Sequence, residues 1–258
     1  MCRLLGVIAN KPVDLEFSLR RFKKLATWNP DGWGIGWYQK GKSRVFKEGI
    51  SAVESNKFPI LSREVRSNII IAHVRKGTEG EPSEKNSHPF GSQNWIFAHN
   101  GSINKECLLS YLSEEEKSEL KGEVDSKVYF YWLLQCIGES KDVVKGIRKA
   151  INKIIESDYT GLNFLLSDGN SLYAFRYSKD SRNYYSLYKL RREPSTLEPV
   201  EYLSEETGLL IRSKSLKGEK AVLVSSEKLT EDEEWEEIGF GNLLVVNSDL
   251  TAEEVKII

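Results

Sequence analysis

The chain has 258 residues, of which 40% are hydrophobic; no linker divides it, and we expect a single domain over residues 1–258. Its 37 basic and 38 acidic residues are mixed along the chain and give a formal net charge of −1, which argues against nucleic acid as a partner. The three cysteines are widely spaced and no apolar stretch suits a signal peptide or a membrane span, so we expect a cytoplasmic protein without membrane contact, disulfides or a metal site.

The first third of the sequence predicts a strand, a helix and a hairpin. Residues 3–9 are mostly apolar and indicate a strand, and apolar residues at helical spacing predict a helix over residues 14–25. The alternating glycines of residues 29–38 resemble a dinucleotide-binding fingerprint, but that signature requires a helix to follow. Here Lys40-Gly41-Lys42 turns the chain into a strand over residues 44–48, so we reject nucleotide binding. The glycines then mark either the wall of a site or tight backbone packing.

A long loop separates two strands in the middle of the chain. Residues 68–75 carry a continuous apolar run, as expected of a strand covered on both faces, and residues 95–101 form the next strand. The loop between them, residues 77–92, has a length that is usually functional or disordered. Helices follow at residues 105–112, 126–137 and 142–155, with an acidic connection at residues 114–116. The second of these helices has little polar surface and is expected to be buried.

The second half of the chain decides the predicted fold class. Strands are predicted at residues 162–166, 172–177, 184–189, 221–224 and 242–246. Residues 205–220 have the composition of a surface excursion, and the acidic run 231–237 that of a solvated turn or face. Strands, then helices, then strands favour antiparallel sheets with segregated helices, which is an α+β fold. Sheets that are buried on both faces suggest a multilayer sandwich.

A cysteine follows the initiator methionine and leads directly into the first strand. If Met1 is removed, Cys2 carries a thiol of pKa about 8.5 beside an α-amine of pKa about 7.7–8.0, so a nucleophile and its base share one residue. The alternative is that Cys2 is a small core residue, which is the usual place of an unpaired cysteine. Taken alone, Cys2 favours this alternative.

Three polar clusters stand at the ends of predicted strands or helices, where sites are usually assembled. His73 and Arg75 share one face of a strand, and Arg75 at its end is placed to hold a carboxylate in a two-point fork. Asn100 and Gly101 end the next strand, where a side-chain amide and a backbone N–H can converge on an oxyanion. Asp125 precedes the buried helix, where a carboxylate can bind an ammonium group. The ordinary alternatives are a surface arginine, a turn dipeptide and a helix N-cap.

Together these groups meet the chemical requirements for cleaving the side-chain amide of glutamine. The reaction needs a thiolate, a base, an oxyanion hole, a cation for the α-carboxylate and an anion for the α-ammonium group. The three histidines, His73, His88 and His99, are interpreted as packing or supporting residues, because none lies in a recognisable nucleophile pattern. An N-terminal cysteine supplies its own amine and does not need a histidine base.

Six motifs in order along the first half carry a resemblance to a known family. The chain resembles the class II glutamine amidotransferases, of the N-terminal-nucleophile hydrolase superfamily, and is most like their small stand-alone members. Weaker similarity continues from residue 161 onwards. The motifs are Met1-Cys2-Arg3-Leu4-Leu5-Gly6, Asp31-Gly32-Trp33-Gly34-Ile35-Gly36, Ala72-His73-Val74-Arg75, Ser87-His88-Pro89-Phe90, Phe97-Ala98-His99-Asn100-Gly101 and Asp125-Ser126.

The resemblance implies a fold and a chemistry. The fold is a four-layer α-β-β-α sandwich of two antiparallel sheets, with the nucleophile at the first strand. Cys2 would attack the γ-carboxamide with its own α-amine as base, while Asn100 and Gly101 would hold the oxyanion. A γ-glutamyl thioester on Cys2 and ammonia would form, and water would then release glutamate.

The resemblance also assigns substrate contacts. Arg75 would grip the α-carboxylate with help from Thr78, and Asp125 would bind the α-ammonium group. Neither a metal nor another cofactor is implied. The implied substrate is glutamine or another γ-glutamyl small molecule, since some small members process larger γ-glutamyl metabolites.

Departures from the family pattern bear on function. Lys76-Gly77 stands where synthase-type members have a bulky Trp-Ala, and Lys127 stands where a carboxylate is usual. The amidase fold uses all 258 residues, so we expect no ammonia-accepting domain and hydrolysis by the chain alone. Two alternatives stay open: a glutaminase subunit that delivers ammonia to a separate synthase, and a non-catalytic binding module on the same fold.

Overall fold

Two antiparallel β-sheets form the centre of this computed structural model, which describes residues 2–14, 22–78, 80–120, 124–193, 201–203, 210–212, 219–231 and 233–258. The strands are β1 (Arg3–Val13), β2 (Trp33–Gln39), β3 (Lys42–Glu48), β4 (Ser67–Val74), β5 (Phe90–Ser92), β6 (Trp95–Asn100), β7 (Asn163–Ser167), β8 (Leu172–Phe175), β9 (Tyr188–Arg192), β10 (Glu201–Leu203), β11 (Leu210–Arg212), β12 (Ala221–Ser225), β13 (Glu236–Glu237), β14 (Asn242–Val246) and β15 (Ala252–Lys256). The helices are α1 (Phe58–Glu64), α2 (Lys105–Leu109), α3 (Glu114–Glu119), α4 (Asp125–Ser140) and α5 (Val143–Ile154). Short 3₁₀ turns span Ala26–Trp28 and Glu84–Asn86.

The strand order places β1 in the middle of its sheet. The first sheet has seven strands in the order β13-β9-β12-β1-β4-β2-β3, and the second has six in the order β15-β14-β8-β7-β6-β5. Strands β10 and β11 pair with each other in a separate two-stranded sheet. Strand β1 pairs antiparallel with β12 on one side and with β4 on the other. Any group at the start of β1 is therefore flanked by the ends of both neighbours.

Apolar side chains that alternate along β1 build two of the layers. Leu4 packs with Ile96 and Leu165 of the second sheet, in an apolar layer between the two sheets. Leu5 points to the opposite face, where it joins a cluster that contains Phe58 of α1. Successive side chains of a strand point to opposite faces, so β1 is buried on both sides.

Helices cover the outer face of each sheet. On the second sheet, Phe97 of β6 packs against Tyr129 and Phe130 of α4, at ring-centroid distances of 5.4 and 5.2 Å. Helix α4 is buried along most of its length, as predicted, and α5 turns an apolar face towards it. On the first sheet, α1 and the helical turn at residues 22–25 form the outer layer. The predicted α+β fold, an α-β-β-α sandwich of two antiparallel sheets, is confirmed.

The two sheets approach each other closely at Gly6 in β1. A Cβ atom at this position would lie 3.0 Å from Cδ1 of Leu165 and 3.3 Å from Cδ2 of Leu172. The space between the sheets is thus already filled by the two leucines, and glycine allows this spacing.

Several predicted elements are wrong in kind or extent. The acidic residues 114–116 begin helix α3, because Ser113 caps that helix by accepting a hydrogen bond from the N–H of Glu116. The strand predicted at residues 184–189 begins at Tyr188 instead. The predicted loop of residues 77–92 includes β5. The acidic run 231–237, predicted to be a solvated turn or face, includes the exposed strand β13. The sequence patterns did not predict β15.

Two predictions fall largely on residues that the structure does not describe. The helix predicted over residues 14–25 includes residues 15–21, which lie outside the described residues, whereas residues 22–25 are helical. The predicted excursion at 205–220 also lies mostly outside them, and its described part includes β11. Within the described ranges, no helix is both long enough and apolar enough to cross a membrane.

Candidate active site

Cys2 lies immediately before β1, beside the end of β4. The pairing of Arg3 with Val74 brings Cys2 next to Lys76, whose N–H donates to Cys2 Sγ at 3.2 Å. The Sγ atom also lies 3.3 Å from the Lys76 carbonyl oxygen. The side chain is partly exposed, so Cys2 is a thiol held at the edge of the sheet rather than a fully buried core residue.

The surroundings of Cys2 hold its thiol in the protonated form. Burial raises the pKa of the Cys2 thiol above its ordinary value. The hydrogen bond from Lys76 and the positive charges of Arg75 and Arg3 lower this pKa without cancelling the effect of burial. A thiol in this state needs a base to take its proton before it can act as a nucleophile.

Arg75 follows the last residue of β4 and is only 3% exposed, so it is not the surface arginine of the ordinary interpretation. Its guanidinium donates from Nη2 to the Gly80 carbonyl oxygen at 2.9 Å and from Nη1 to the Asp31 carbonyl oxygen at 3.4 Å. The Asp31 carboxylate accepts a hydrogen bond of 2.8 Å from the Gly77 N–H. These hydrogen bonds hold the loop after β4 in place around the guanidinium group of Arg75. Asp31 is a supporting residue that the sequence interpretation did not single out, although it opens one of the motifs.

Asn100 ends β6 in the opposite sheet and reaches across to Cys2. Its side chain is fully buried, and its Nδ2 donates a hydrogen bond of 2.8 Å to the Cys2 carbonyl oxygen. The structure thus brings together three of the predicted site residues, Cys2, Arg75 and Asn100, from the ends of three strands.

Gly101 occupies a position that only glycine fits. Its φ of +136° is rarely adopted by other residues, and a Cβ atom there would lie 1.9 Å from the Gly161 carbonyl oxygen. The turn after Asn100 is therefore pressed against residue 161, which fixes the direction of the backbone at Gly101.

Asp125 is the first residue of α4 and is buried. Its carboxylate accepts hydrogen bonds of 2.7 Å from the backbone N–H groups of Ile103 and Ser126. The N-cap position belongs to Val124, so Asp125 is not the N-cap of the ordinary interpretation. The bond to Ile103 ties Asp125 to the segment that follows Gly101. Thr78 is exposed in the loop after Arg75.

The comparisons with known proteins decide the family. The family model described as class II glutamine amidotransferases matches residues 1–255. The chain belongs to the class II glutamine amidotransferases. This amidotransferase is therefore an enzyme of a family that takes glutamine as its substrate and cleaves its amide.

Relatives and solved structures agree with this membership. An uncharacterized protein of Methanocaldococcus jannaschii is 34% identical over 284 residues, a match that covers 100% of this chain and 75% of the relative. The structure of a glutamine aminotransferase class-II domain protein from Silicibacter pomeroyi has a TM-score of 0.68 at 21% identity and covers 99% of each chain. The glutamine phosphoribosylpyrophosphate amidotransferase of B. subtilis has a TM-score of 0.66 at 16% identity, with 100% of this chain and 49% of that chain covered. The shared fold is that of the N-terminal-nucleophile hydrolases.

The three histidines of this class II amidotransferase are buried and hold their neutral forms. Burial lowers the pKa of His73 to about 3 and lowers the pKa values of His88 and His99 as well. The rings of His73 and His88 lie 4.4 Å apart. A histidine with such a low pKa is a weak base at neutral pH, which agrees with the interpretation of these residues as supports.

His99 links the amidotransferase site to the start of α4. Its Nε2–H donates to the Gly161 carbonyl oxygen at 3.0 Å, because a carbonyl can only accept. Its Nδ1 therefore accepts a hydrogen bond of 2.9 Å from the Ser126 hydroxyl. The sequence interpretation missed this pair, although Asp125-Ser126 is one of the quoted motifs. Among the described residues, no cluster of His, Cys, Asp and Glu side chains is arranged to hold a metal ion.

Proposed function

We propose that the chain is a γ-glutamyl amide hydrolase whose nucleophile is Cys2, exposed as the N-terminus once Met1 is removed. The substrate is glutamine or a related γ-glutamyl compound, and the whole of residues 1–258 acts as one amidase domain. The observation that carries this proposal is the hydrogen bond of 2.8 Å from Asn100 Nδ2 to the backbone carbonyl oxygen of Cys2. It positions a hydrogen-bond donor for an oxyanion at the residue that carries the thiol.

The first half of the reaction forms a thioester. The free α-amine of Cys2 takes the thiol proton, and Sγ attacks the carbonyl carbon of the γ-amide. The oxygen becomes an oxyanion, which accepts hydrogen bonds from Asn100 Nδ2 and the Gly101 N–H. The C–N bond then breaks, the proton held by the amine moves to the departing nitrogen, and ammonia or an amine leaves a γ-glutamyl thioester on Cys2.

The second half of the reaction frees the enzyme. The α-amine takes a proton from a water molecule as that water attacks the thioester carbonyl. The same donors hold the second oxyanion, and its collapse breaks the C–S bond. The thiol regains a proton and glutamate is released.

Arg75 and Asp125 hold the glutamate portion of the substrate in this proposal. Arg75 is a rigid cation near Cys2 and binds the α-carboxylate, with Thr78 assisting. Asp125 binds the α-ammonium group and is kept in place by two backbone N–H groups. Both residues are buried, so their charges act in a region of low dielectric constant, where they select strongly for an amino acid.

A second candidate function is that of a glutaminase subunit which passes ammonia to a separate synthase. The B. subtilis phosphoribosylpyrophosphate amidotransferase favours it, since the matched fold is only 49% of that chain. Glutaminase activity that appears only when a second protein is added would favour this candidate. A third candidate is a non-catalytic binding module, which requires Cys2 to be unreactive.

A diazo-ketone analogue of glutamine tests the proposal directly. The protein with Met1 removed is expected to gain one adduct on its N-terminal peptide, and the adduct and glutaminase activity are expected to disappear in Cys2→Ser. Cys107→Ser is the matched control, since Cys107 is also free and partly exposed, and it is expected to keep both. An absence of adduct at Cys2, or full activity in Cys2→Ser, would contradict the proposal.

A further inference from the structure

The segment of residues 181–187 lies beside the start of β1, on the side away from Arg75. Strand β9 pairs with β12 from Tyr188 opposite Ser225, so the residues before Tyr188 lie at the same end of the sheet as Cys2. The Ser186 hydroxyl donates to the Ser226 carbonyl oxygen at 2.8 Å. The backbone N–H of Ser226 donates a hydrogen bond to the Leu4 carbonyl oxygen, and the Ser226 hydroxyl oxygen accepts one from the Leu4 N–H. Cys2 thus has Arg75 at the β4 side and this segment at the β12 side.

Tyr185 presents its ring next to the turn that follows Asn100. Its hydroxyl donates to Thr160 Oγ1 at 2.9 Å, and its ring lies on Gly161, where a Cβ atom would be 2.4 Å from Cε1. The Gly161 carbonyl is the group against which Gly101 is pressed. Burial raises the pKa of the Tyr185 phenol above its ordinary value.

The backbone of Tyr185 is held by buried side chains. Its carbonyl oxygen accepts hydrogen bonds of 3.0 Å from Asn163 Nδ2 and 3.2 Å from Arg176 Nε. Arg176 is only 5% exposed and also donates to the Ile238 carbonyl oxygen at 2.8 Å. The backbone of Tyr185 is thus fixed and its hydroxyl is bonded to Thr160, so the ring is held at both ends and is suited to select by shape.

We infer that Tyr185 is a specificity-determining residue, whose ring forms the wall of the site on the side of the departing amine and limits the size of that amine. This inference rests on the proposed function. If Arg75 holds the α-carboxylate on the β4 side of Cys2, the scissile C–N bond points away from it, towards β12 and Tyr185. The substrates favoured by such a wall are glutamine and γ-glutamyl amides of small amines, rather than those of bulky amines.

The test compares glutamine with γ-glutamyl-p-nitroanilide in the protein with Met1 removed. In Tyr185→Ala, the ratio of kcat/KM for the anilide to kcat/KM for glutamine is expected to rise about 10-fold or more over wild type, the scale on which apolar walls discriminate. Tyr185→Phe keeps the ring and is expected to keep the ratio within about twofold. Tyr184→Ala is the matched control, because the ring of Tyr184 meets that of Tyr185 edge to face at a centroid distance of 5.1 Å but is 54% exposed, and it is also expected to keep the ratio.

Unchanged ratios in Tyr185→Ala would overturn the inference. If that variant does not fold, Tyr185→Leu provides the same comparison with more of the volume retained, and its ratio is expected to rise several-fold. The proposed function itself would be overturned by a different result, in which the wild-type protein hydrolyses neither substrate and Cys2 is not labelled by the diazo-ketone. If Cys2 is labelled but the kcat/KM ratio is unchanged in Tyr185→Ala, the inference about Tyr185 fails while the proposed function stands.

Discussion

The side-chain amide of Asn100 donates a hydrogen bond of 2.8 Å to the carbonyl oxygen of Cys2, although β6 and β1 belong to different sheets. The hydrogen bond joins the two sheets and brings a buried donor to the residue that carries the thiol. In the proposed reaction the second hydrogen atom of the same Nδ2 group is donated to the oxyanion.

Asn100→Asp is expected to lower kcat about 100- to 1,000-fold with little change in KM. The replacement has the same shape, but a carboxylate cannot donate and repels a developing negative charge. Steady-state glutaminase assays measure the effect. Asn170→Asp, at an exposed position, is the control and is expected to keep wild-type kcat. A kcat within a few-fold of wild type in Asn100→Asp would exclude the proposed oxyanion role.

A removable N-terminal extension tests whether the α-amine of Cys2 is the base. Protein with residues added before Cys2 is expected to be folded but inactive, because an amide nitrogen cannot take the thiol proton. Proteolytic removal that leaves Cys2 first is expected to restore activity in the same sample. The two forms are matched in every other residue. Equal turnover before and after cleavage would contradict the mechanism.

Arg75→Lys is expected to raise KM for glutamine about 10- to 100-fold, because the planar two-point fork is lost while the charge is retained. It is also expected to lower the urea midpoint, since the carbonyl oxygens of Gly80 and Asp31 lose donors. Arg66→Lys is the control: Arg66 is 62% exposed and pairs with Asp14 at 3.2 Å. If both variants change KM equally, Arg75 has no special part in binding.

The low pKa of His73 makes stability depend on pH. Its pKa is about 3 in the folded protein, against an ordinary value of 6.5, so between these pH values the unfolded chain binds a proton that the folded chain does not. Stability is therefore expected to fall as pH falls from 6.5 towards 3, and to be unaffected by this group above 6.5. Urea unfolding of His73→Asn between pH 4.5 and pH 7.5 is expected to show a smaller pH dependence than wild type. Equal pH dependence would show that His73 does not contribute.

Gly101→Ala separates a backbone conformation from a close contact. Gly41 also has a positive φ, of 73°, but a Cβ atom there would have nothing within 4 Å, so Gly41→Ala is the control. Gly41→Ala is expected to cost about 1–2 kcal/mol in the free energy of unfolding. Gly101→Ala is expected to cost more and to lower kcat, because the methyl group must displace Gly161 beside the site. Equal losses of stability with unchanged kcat would contradict this account.

The elements that carry the site were predictable because their signals are strong. Strands β1, β4 and β6 each contain a continuous apolar run, and Cys2, Arg75 and Asn100 stand at their ends. The edge strand β15 has mostly exposed or partly exposed residues, so it lacks the apolar alternation that marks a strand. Residues 184–187 favour a strand by composition, but the carbonyl of Tyr185 is occupied by Asn163 and Arg176, so pairing starts later.

Contacts between the sheets could not be predicted in the same way. Periodicity tells which face a residue occupies within one strand, but the bond from Asn100 to Cys2 depends on how two separate sheets are stacked. The link from His99 to Ser126 depends likewise on the position of α4 against β6. The motifs indicated the candidate groups, whereas the distances between these groups could be obtained only from the folded chain.

The close approach of the sheets at Gly6 has a consequence for the reaction. In the proposed reaction the thiol is carried by one sheet and the oxyanion donor by the other, so the space for the substrate carbonyl depends on the thickness of the leucine-filled layer between the sheets. Under the proposed mechanism, the packing of Leu165 and Leu172 therefore contributes to the alignment of Cys2 with Asn100. A methyl group added at Gly6 would press on Leu165 and Leu172, and we expect it to disturb the position of Cys2, four residues away, without touching the substrate.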